Sequence, residues 1–147
     1  MTDDNRREMD YVGQFNFTVE IEGVTAGRFA NVDGLDSETE VIEFQDGDDL
    51  ILRKRPGRTK YSNVMLKRGY ADKGMAELWE WRKKVMDGMV DRRAGSVILQ
   101  NDNGEEVARY NFENAWPCKW KGWDLNGKGT DTAIEEIELA VERIYRA

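Results

Sequence analysis

The amino-acid sequence predicts a mainly β domain with one α-helix. Several short segments alternate apolar and polar residues, and this two-residue period is typical of half-buried strands. Turn signals built from Gly, Asn and Asp separate those segments. A single stretch, residues 73–90, instead repeats apolar side chains at helical spacing. The chain has 147 residues, which fits one domain.

The first predicted strands lie in the N-terminal third of the chain. Residues 14–22 alternate most clearly, and residues 29–35 form a weaker candidate that ends at a turn signal. Residues 38–45 continue the strand pattern among acidic side chains. The apolar positions of the first strand are Phe15, Phe17, Val19 and Ile21.

A loop and a turn are predicted next. The acidic loop 46–49 precedes the apolar triplet Leu50-Ile51-Leu52 and a basic segment, residues 53–60. Pro56-Gly57 predicts a turn inside that segment, because proline fixes φ and glycine accepts a positive φ. Residues 63–67 are predicted to form a short strand.

The predicted helix, residues 73–90, has one apolar stripe and an expected start. Asp72 is a plausible N-cap, because its carboxylate can accept a hydrogen bond from a free N–H of the first turn. The stripe predicts the face that packs on the core. Its members are Met75, Leu78, Trp79, Val85, Met86 and Met89.

Further strands are predicted after the helix. Residues 96–100 and 106–112 flank Asn101–Gly104, which is a strong hairpin turn signal. Residues 115–120 have the pattern of another strand, in which Pro117 indicates an edge or a bulge.

The final segment, residues 132–145, fits two structures. The spacing of its apolar residues suits a helix slightly better than a strand. The helical set is Ile134, Ile137, Val141 and Ile144, and the strand set is Ile137, Leu139 and Val141.

Composition excludes several classes of protein. Lys and Arg number 22 against 29 Asp and Glu, giving a net charge of −7, and an acidic chain is a poor candidate for gripping phosphate backbones. The absence of histidine removes Ser-His-Asp and Cys-His catalysis and the common zinc sites. The single cysteine, Cys118, permits no intrachain disulfide and is expected to be a buried, inert thiol.

Membrane and targeting segments are not expected. Residues 1–10 are rich in charge and no apolar run follows them, unlike a signal peptide. No stretch approaches about 18 apolar residues, so we expect no membrane anchoring of the subunit. We expect residues 1–10 to be a flexible segment and residues 11–147 to form a single domain.

The charge pattern changes sign sharply in the first half of the chain. Residues 33–49 contain eight acids and no base, whereas residues 50–68 contain seven bases and no acid. The charges either neutralise each other within one hairpin or provide two complementary faces for a heterologous contact between copies. The candidate contact residues are Glu38, Glu40, Glu43, Asp46, Asp48, Asp49, Arg53, Lys54, Arg55, Arg58 and Lys60.

Two fragments match catalytic or metal-binding motifs only in part. Gly122–Lys128 fits the start of a phosphate-binding loop, but Gly129 stands where a hydroxyl must hold magnesium and Thr130 is one place late. Asp46–Asp49 lacks the spacing and the bidentate glutamate of a calcium loop. We therefore expect neither catalysis nor a cofactor or metal.

Two long stretches resemble one protein family. The first is residues 53–69, with the pattern R-K-R-P-G-R-T-K-Y, and the second is residues 114–129, with N-A-W-P-C-K-W, followed by residues 133–140. Both are similar to the tail-tube family of contractile-tailed phages and of phage-derived contractile injection systems. The resemblance covers nearly the whole chain from Tyr11.

This resemblance implies a β-sandwich or barrel-like domain with one flanking helix, and a strand rather than a helix in residues 132–145. It implies hexameric rings that stack head to tail inside a contractile sheath and end at baseplate and spike proteins. Sheath contraction would drive this inner tube through a target envelope and deliver DNA or protein cargo. The segment Glu38–Lys60 lies where the family has a hairpin or loop that reaches a neighbouring ring.

The resemblance also implies a location and leaves one alternative. The subunit would assemble in the bacterial cytoplasm and then belong to a virion tail or a released, extracellular tail-like particle. The alternative is a monomeric, Trp-rich β-barrel that binds a ligand through its five tryptophans.

Overall fold

The computed structural model describes residues 17–27, 29, 31–69, 74–123, 127 and 134–147. These residues form ten strands and one helix. In chain order the elements are β1 (Phe17–Ile21), β2 (Val24–Gly27), β3 (Asn31–Asp33), β4 (Ser37–Phe44), β5 (Arg53–Tyr61), β6 (Val64–Gly69), α1 (Gly74–Met86), β7 (Arg93–Gln100), β8 (Glu106–Lys121), β9 (Ile134–Ala140) and β10 (Arg143–Arg146).

Eight of the strands form one antiparallel sheet. Seven follow the order β2-β1-β7-β8-β9-β6-β3, and β10 pairs with β8. The long strand β8 joins the two halves of the sheet, because its N-terminal half pairs with β7 and β10 and its C-terminal half pairs with β9. The strands β4 and β5 form a separate two-stranded sheet.

A single hydrophobic cluster connects the eight-stranded sheet to α1. In β6 and β9 the buried positions alternate with partly exposed ones, as expected for strands with one face on a core. Apolar burial of this kind supplies most of the folding free energy. The largest fully buried side chains are Trp81, Phe112, Leu66, Leu78, Ile137, Leu139, Val19 and Val64.

The structure corrects the predicted apolar stripe of α1. Leu78 and Trp81 are buried, whereas Trp79 and Met86 are 41% and 51% exposed. Residues two apart on a helix point about 200° away from each other, so only one of the two neighbouring tryptophans can face the core. Trp81 takes this position, and its indole N–H donates to the Asp91 carbonyl at 2.7 Å.

Helix α1 ends earlier than the predicted boundary at residue 90. Gly88 has a φ of 85°, and its N–H donates to the Val85 carbonyl at 3.0 Å. The Met89 N–H donates to the Lys84 carbonyl at 2.9 Å, which completes a Schellman motif. With 13 residues, α1 is too short to cross a membrane, and the described residues contain no other candidate helix.

The predicted turn at Pro56-Gly57 is wrong, because both residues lie inside β5. Pro56 is the register partner of Val41, and an irregularity of the register lies beside this pair. Proline is tolerated there because β5 is an edge strand, on which a missing N–H is not needed by a further neighbour.

In the C-terminal half, the segments predicted as separate strands at 106–112 and 115–120 are one strand, β8. Asn114, with a φ of 54°, marks a local distortion within it, and the register shifts at Pro117, where a bulge was expected. The ambiguous segment 132–145 contains the strands β9 and β10, so the strand assignment is confirmed for its described residues. The start of the first strand (14–16), the N-cap Asp72 and the segment 1–10 lie outside the described residues.

Gly88→Ala should lower the free energy of unfolding by about 1–2 kcal/mol, because a Cβ disfavours the left-handed conformation by roughly that amount. No other atom lies within 4 Å of the added Cβ, so the loss is conformational rather than steric. Urea denaturation measures it. Gly47→Ala is the matched control, since Gly47 is equally open and lacks a left-handed φ; equal losses in the two variants would contradict this explanation.

Candidate functional site

The β4–β5 hairpin stands apart from the hydrophobic core. Among the described residues, its two strands pair only with each other, and nearly all of their side chains are exposed. A two-stranded hairpin on its own is marginally stable in water. The stability of the hairpin therefore depends on contacts at its base, where it leaves the core, and on any surface that covers it.

The base of the hairpin is firmly anchored. Ser37 pairs with Tyr61, whose side chain packs against the core. The Ser62 hydroxyl donates to the Gly34 carbonyl at 2.7 Å. Gly34 has a φ of 91°, and a Cβ at this position would collide with the carbonyl oxygen of Asn63. This close approach requires glycine and sets the direction in which the hairpin leaves the core.

The hairpin tip, residues 46–52, presents apolar side chains to solvent. Leu50, Ile51 and Leu52 are 97%, 59% and 47% exposed. The Asp49 carboxylate accepts hydrogen bonds from the Ile51 N–H at 3.0 Å and from Arg53 Nε at 2.7 Å. The Arg53 contact holds the pKa of Asp49 below its usual value. These bonds give the tip a defined shape although its apolar side chains are uncovered.

The structure places six of the eleven candidate contact residues in oppositely charged pairs. Two pairs face each other across the hairpin, and the third is an ion pair near the tip. Opposite charges in such cross-strand positions contribute roughly 0.2–1 kcal/mol each. For these six residues the structure therefore agrees with the first alternative, in which opposite charges neutralise each other within one hairpin. The pairs are Glu38 with Lys60, Glu43 with Lys54, and Asp49 with Arg53.

The other five candidate contact residues are exposed and have no such partner. Arg55 lies opposite Ile42, and a Cβ on Gly57 would lie 3.2 Å from Glu40 Cβ, so neither charge faces an opposite one. Within the part of the chain that the structure describes, Asp49–Arg53 is the one ion pair of the hairpin. The five residues are Glu40, Asp46, Asp48, Arg55 and Arg58.

A protein-family model decides which family the chain belongs to. The model is that of the T4-like virus tail tube protein gp19, and it matches residues 13–145. The chain belongs to this tail tube family. The family is structural and non-enzymatic, which confirms the expectation from the sequence.

Solved structures superpose on this tail tube protein along nearly its whole length. A chain in the extended-state sheath–tube complex of PVC, an extracellular contractile injection system, is 27% identical, with 95% of this chain and 93% of that chain covered and a TM-score of 0.84. A chain in the sheath/tube terminator of PVC is 28% identical, with 95% and 99% covered and a TM-score of 0.84. A chain in the anti-feeding prophage tube-terminating cap is 24% identical, with 100% and 97% covered and a TM-score of 0.85.

These likenesses confirm the tail-tube fold, mainly β with one helix, that the resemblance implied. Among curated proteins, no sequence matches this chain significantly. The tail tube assignment therefore comes from the family model and from the solved structures.

The phosphate-loop fragment of this tail tube protein has the wrong structural context. A phosphate-binding loop opens a helix, whereas the first element that the structure describes after Gly127 is the strand β9. Lys128 and Thr130 lie outside the described residues. The acidic loop 46–49 is no better as a metal site, because Asp49 is engaged by Arg53 and no three metal-ligating side chains cluster in the described ranges.

The tryptophans of the tail tube protein pack mainly against other protein groups. Trp81 is fully buried. The rings of Trp79 and Trp120 meet edge to face, with centroids 5.2 Å apart and planes at 68°. Trp116 lines a groove beside α1. The alternative of a ligand-binding barrel receives no support from these positions.

Sequence reasoning found the charged hairpin but missed its apolar tip. The signal was available, because three consecutive apolar residues separate the acidic loop from the basic segment, where a solvated turn favours polar residues. The groove beside Trp116 had no sequence signal, because its walls come from segments far apart in the chain.

Cys118 is half-buried rather than buried. Its Sγ lies 3.5 Å from both the carbonyl oxygen and a carboxylate oxygen of Glu138. Burial raises the pKa of the Cys118 thiol above its usual value, and the Glu138 carboxylate raises it further. The thiolate is the reactive form, so both effects make this thiol slow to react.

Glu138→Gln should speed the reaction of Cys118 with a thiol reagent at pH 8 by roughly three- to tenfold, because a pKa drop of one unit raises the thiolate fraction about tenfold. The rate of release of the chromophore from an aromatic disulfide reagent measures this change. Glu105→Gln, in an exposed turn, is the control and should leave the rate unchanged. An unchanged or slower rate in Glu138→Gln would refute the assigned cause.

Proposed function

We propose that this chain is the inner-tube subunit of a contractile injection apparatus, with residues 11–147 forming one tail-tube domain. Hexameric rings of the subunit stack head to tail into a hollow conduit. Sheath contraction propels the conduit through a target envelope, and cargo passes through its lumen. The observation that carries the proposal is the projecting β4–β5 hairpin on a chain of the tail tube family.

The hairpin supports stacking because it makes the molecule polar, in the sense of having two different ends. A heterologous contact between unlike surfaces closes into a ring or continues as a filament. The hairpin offers a long, exposed, two-stranded surface with five unmatched charges. Complementary charges on the adjacent ring would fix both register and orientation. In this proposal the eleven candidate residues contact neighbouring subunits, and the five unmatched ones contribute most.

The remaining partners follow from the same proposal. The relatives in the PVC sheath–tube complex and terminator support a contractile sheath as the outer partner. A fold likeness to a chain of the anti-feeding prophage baseplate agrees with baseplate and spike proteins at one end of the tube. Assembly would take place in the bacterial cytoplasm, and the finished tube would belong to a virion tail or to an extracellular tail-like particle. DNA or a protein effector is the cargo, and the subunit itself is not anchored in a membrane.

Purified protein at high concentration, alone or expressed with its sheath protein, should form rings or hollow rods, because tail tube function resides in the polymer. Negative-stain microscopy and analytical ultracentrifugation measure the assembly. Discs of six subunits with a central opening are the expected particles. A preparation that stays monomeric under all these conditions and is not recruited by sheath would overturn the proposal.

Reversal of two unmatched bases, Arg55→Glu with Arg58→Glu, should reduce the mass of assembled tube at least about tenfold, because like charges across an interface cost several kcal/mol. The chain itself should fold normally, since both bases are exposed and Arg55 lies opposite Ile42 rather than a charge. Circular dichroism checks folding, and pelleting of tubes measures assembly.

The matched control is Glu38→Lys with Lys60→Glu. This variant changes as many charges but keeps opposite signs in one cross-strand pair, so it should assemble much better than the reversal. Normal tubes from the Arg55/Arg58 reversal would show that these bases are not contacts between subunits.

A further inference from the structure

An asparagine–glycine pair lies in the turn that joins β7 to β8. Asn103 and Gly104 are both exposed, and Gly104 has a φ of 80°. A Cβ added at Gly104 would meet no atom within 4 Å, so this side of the turn is open to solvent. Both residues are therefore accessible to the water and hydroxide that drive the chemistry of such a pair.

This pair can rearrange without an enzyme. The Gly104 nitrogen gives its proton to solvent and bonds to Cγ of the Asn103 side chain. The bond from that Cγ to the side-chain amide nitrogen breaks, and ammonia leaves. Water then opens the resulting succinimide to aspartate or to isoaspartate, and either product carries a new carboxylate. Asparagine is thermolabile for this reason, and a following glycine favours the attack because it has no Cβ to hinder its nitrogen.

The folded turn holds the attacking nitrogen in a hydrogen bond. The Gly104 N–H donates to the Asn101 carbonyl at 3.0 Å, which retains its proton and fixes its peptide plane. The nitrogen can lose that proton and reach Asn103 Cγ only after this bond breaks. The rate of rearrangement in the folded chain therefore follows the fraction of time that the turn is open.

Asn101 keeps the turn closed. Its side-chain Oδ1 accepts from the Asn103 N–H at 3.0 Å and from the Glu105 N–H at 2.9 Å. Its own N–H donates to the Glu105 carbonyl at 2.9 Å, and its side-chain amide donates to the Glu105 carboxylate at 3.4 Å. Asparagine and aspartate side chains close turns in this way because their oxygen reaches backbone N–H groups a few residues further on. One residue thus holds both sides of the reactive pair.

We propose that Asn103 is a site of spontaneous deamidation that the β7–β8 turn gates, with Asn101 as the positioning residue. The site reacts when the turn opens locally, while the core stays folded. Each reaction adds one negative charge to a chain whose net charge is already −7. Isoaspartate also lengthens the backbone of the turn by one carbon. This inference does not depend on the proposed tube function.

Incubation of the purified full-length chain in mildly alkaline buffer, with and without urea, tests the gate. Peptide mass spectrometry and isoaspartyl methyltransferase labelling measure aspartate and isoaspartate at position 103. The folded chain should react at least about tenfold more slowly than the chain in urea, because open turns are a minor population of the native state. Asn126-Gly127 is the same dipeptide and should match Asn103 in urea, which controls for complete unfolding. Equal rates at Asn103 with and without urea would overturn the gate.

Two variants test the role of Asn101. Both are made in a Glu105→Gln background, so that no new carboxylate faces Glu105. Asn101→Ala removes the acceptor of two N–H groups and should speed deamidation of the folded chain at least about threefold, because the open turn becomes more populated. Asn101→Asp keeps that acceptor and should stay within about twofold of the background. A rate unchanged in Asn101→Ala, or raised equally in both variants, would show that Asn101 does not set the gate.

Gly88→Ala controls for a general loss of stability. It weakens the end of α1 and leaves the β7–β8 turn unchanged, so the rate at Asn103 should stay within about twofold of wild type. Circular dichroism checks that every variant is folded. Equal acceleration in Gly88→Ala and Asn101→Ala would place the reaction in the globally unfolded chain and would overturn the local gate.

Discussion

The constraint on which this molecule depends is an antiparallel strand pair that no other described element packs against substantially. The strands β4 and β5 satisfy each other's backbone groups along one side, but both outer edges and nearly all side chains face water. Unpaired strand edges invite pairing with other chains, and natural proteins usually shorten or cover them. Here the strands are eight and nine residues long, and the charged residues of β4 are all acids whereas those of β5 are all bases. Charged side chains on an exposed edge disfavour nonspecific pairing. In the proposed tube, neighbouring subunits would supply the layer that the hairpin lacks.

Two glycines with positive φ set the path of the chain at the base of the hairpin and at the end of α1. Gly34 lies at the base of the hairpin, where the chain passes too close to Asn63 for any side chain. Gly88 ends α1 and turns the chain toward Asp91, so that the groove opens beside Trp116. Gly34 is half-buried, whereas Gly88 is exposed, and local hydrogen bonds at the helix end hold its conformation.

The charge pattern acts at two levels. Six residues of the hairpin meet opposite charges within the same subunit, which limits repulsion in a chain of net charge −7. The five others are exposed and unmatched, and they give the surface its polarity. Single surface ion pairs contribute little to folding stability. We therefore expect these charges to act mainly by orienting a partner and by rejecting wrong partners. An apolar tip adds the non-directional attraction that charges in water cannot supply.

The sequence by itself determined much of this protein. Alternation of apolar residues identified most of the strands, the charge switch marked the hairpin, and two long motifs identified the family. Local sequence signals gave wrong predictions where the structure depends on packing between residues far apart in the chain. Trp79 and Trp81 are equivalent in sequence, and only packing against the sheet selects Trp81. Pro56-Gly57 has the composition of a turn, yet pairing with β4 holds it in a strand.

The final segment, residues 132–145, illustrates the same limit. Its apolar spacing fits a helix or a strand. Residues 134–140 form a strand because β9 pairs with β6 on one side and with β8 on the other. The groove beside α1 is also a product of tertiary structure, since it joins residues 85–92 to Trp116. Periodicity and composition are properties of neighbouring residues, so they fix local preference and family. Which face is buried, and which surface remains exposed, depends on contacts between segments far apart in the chain.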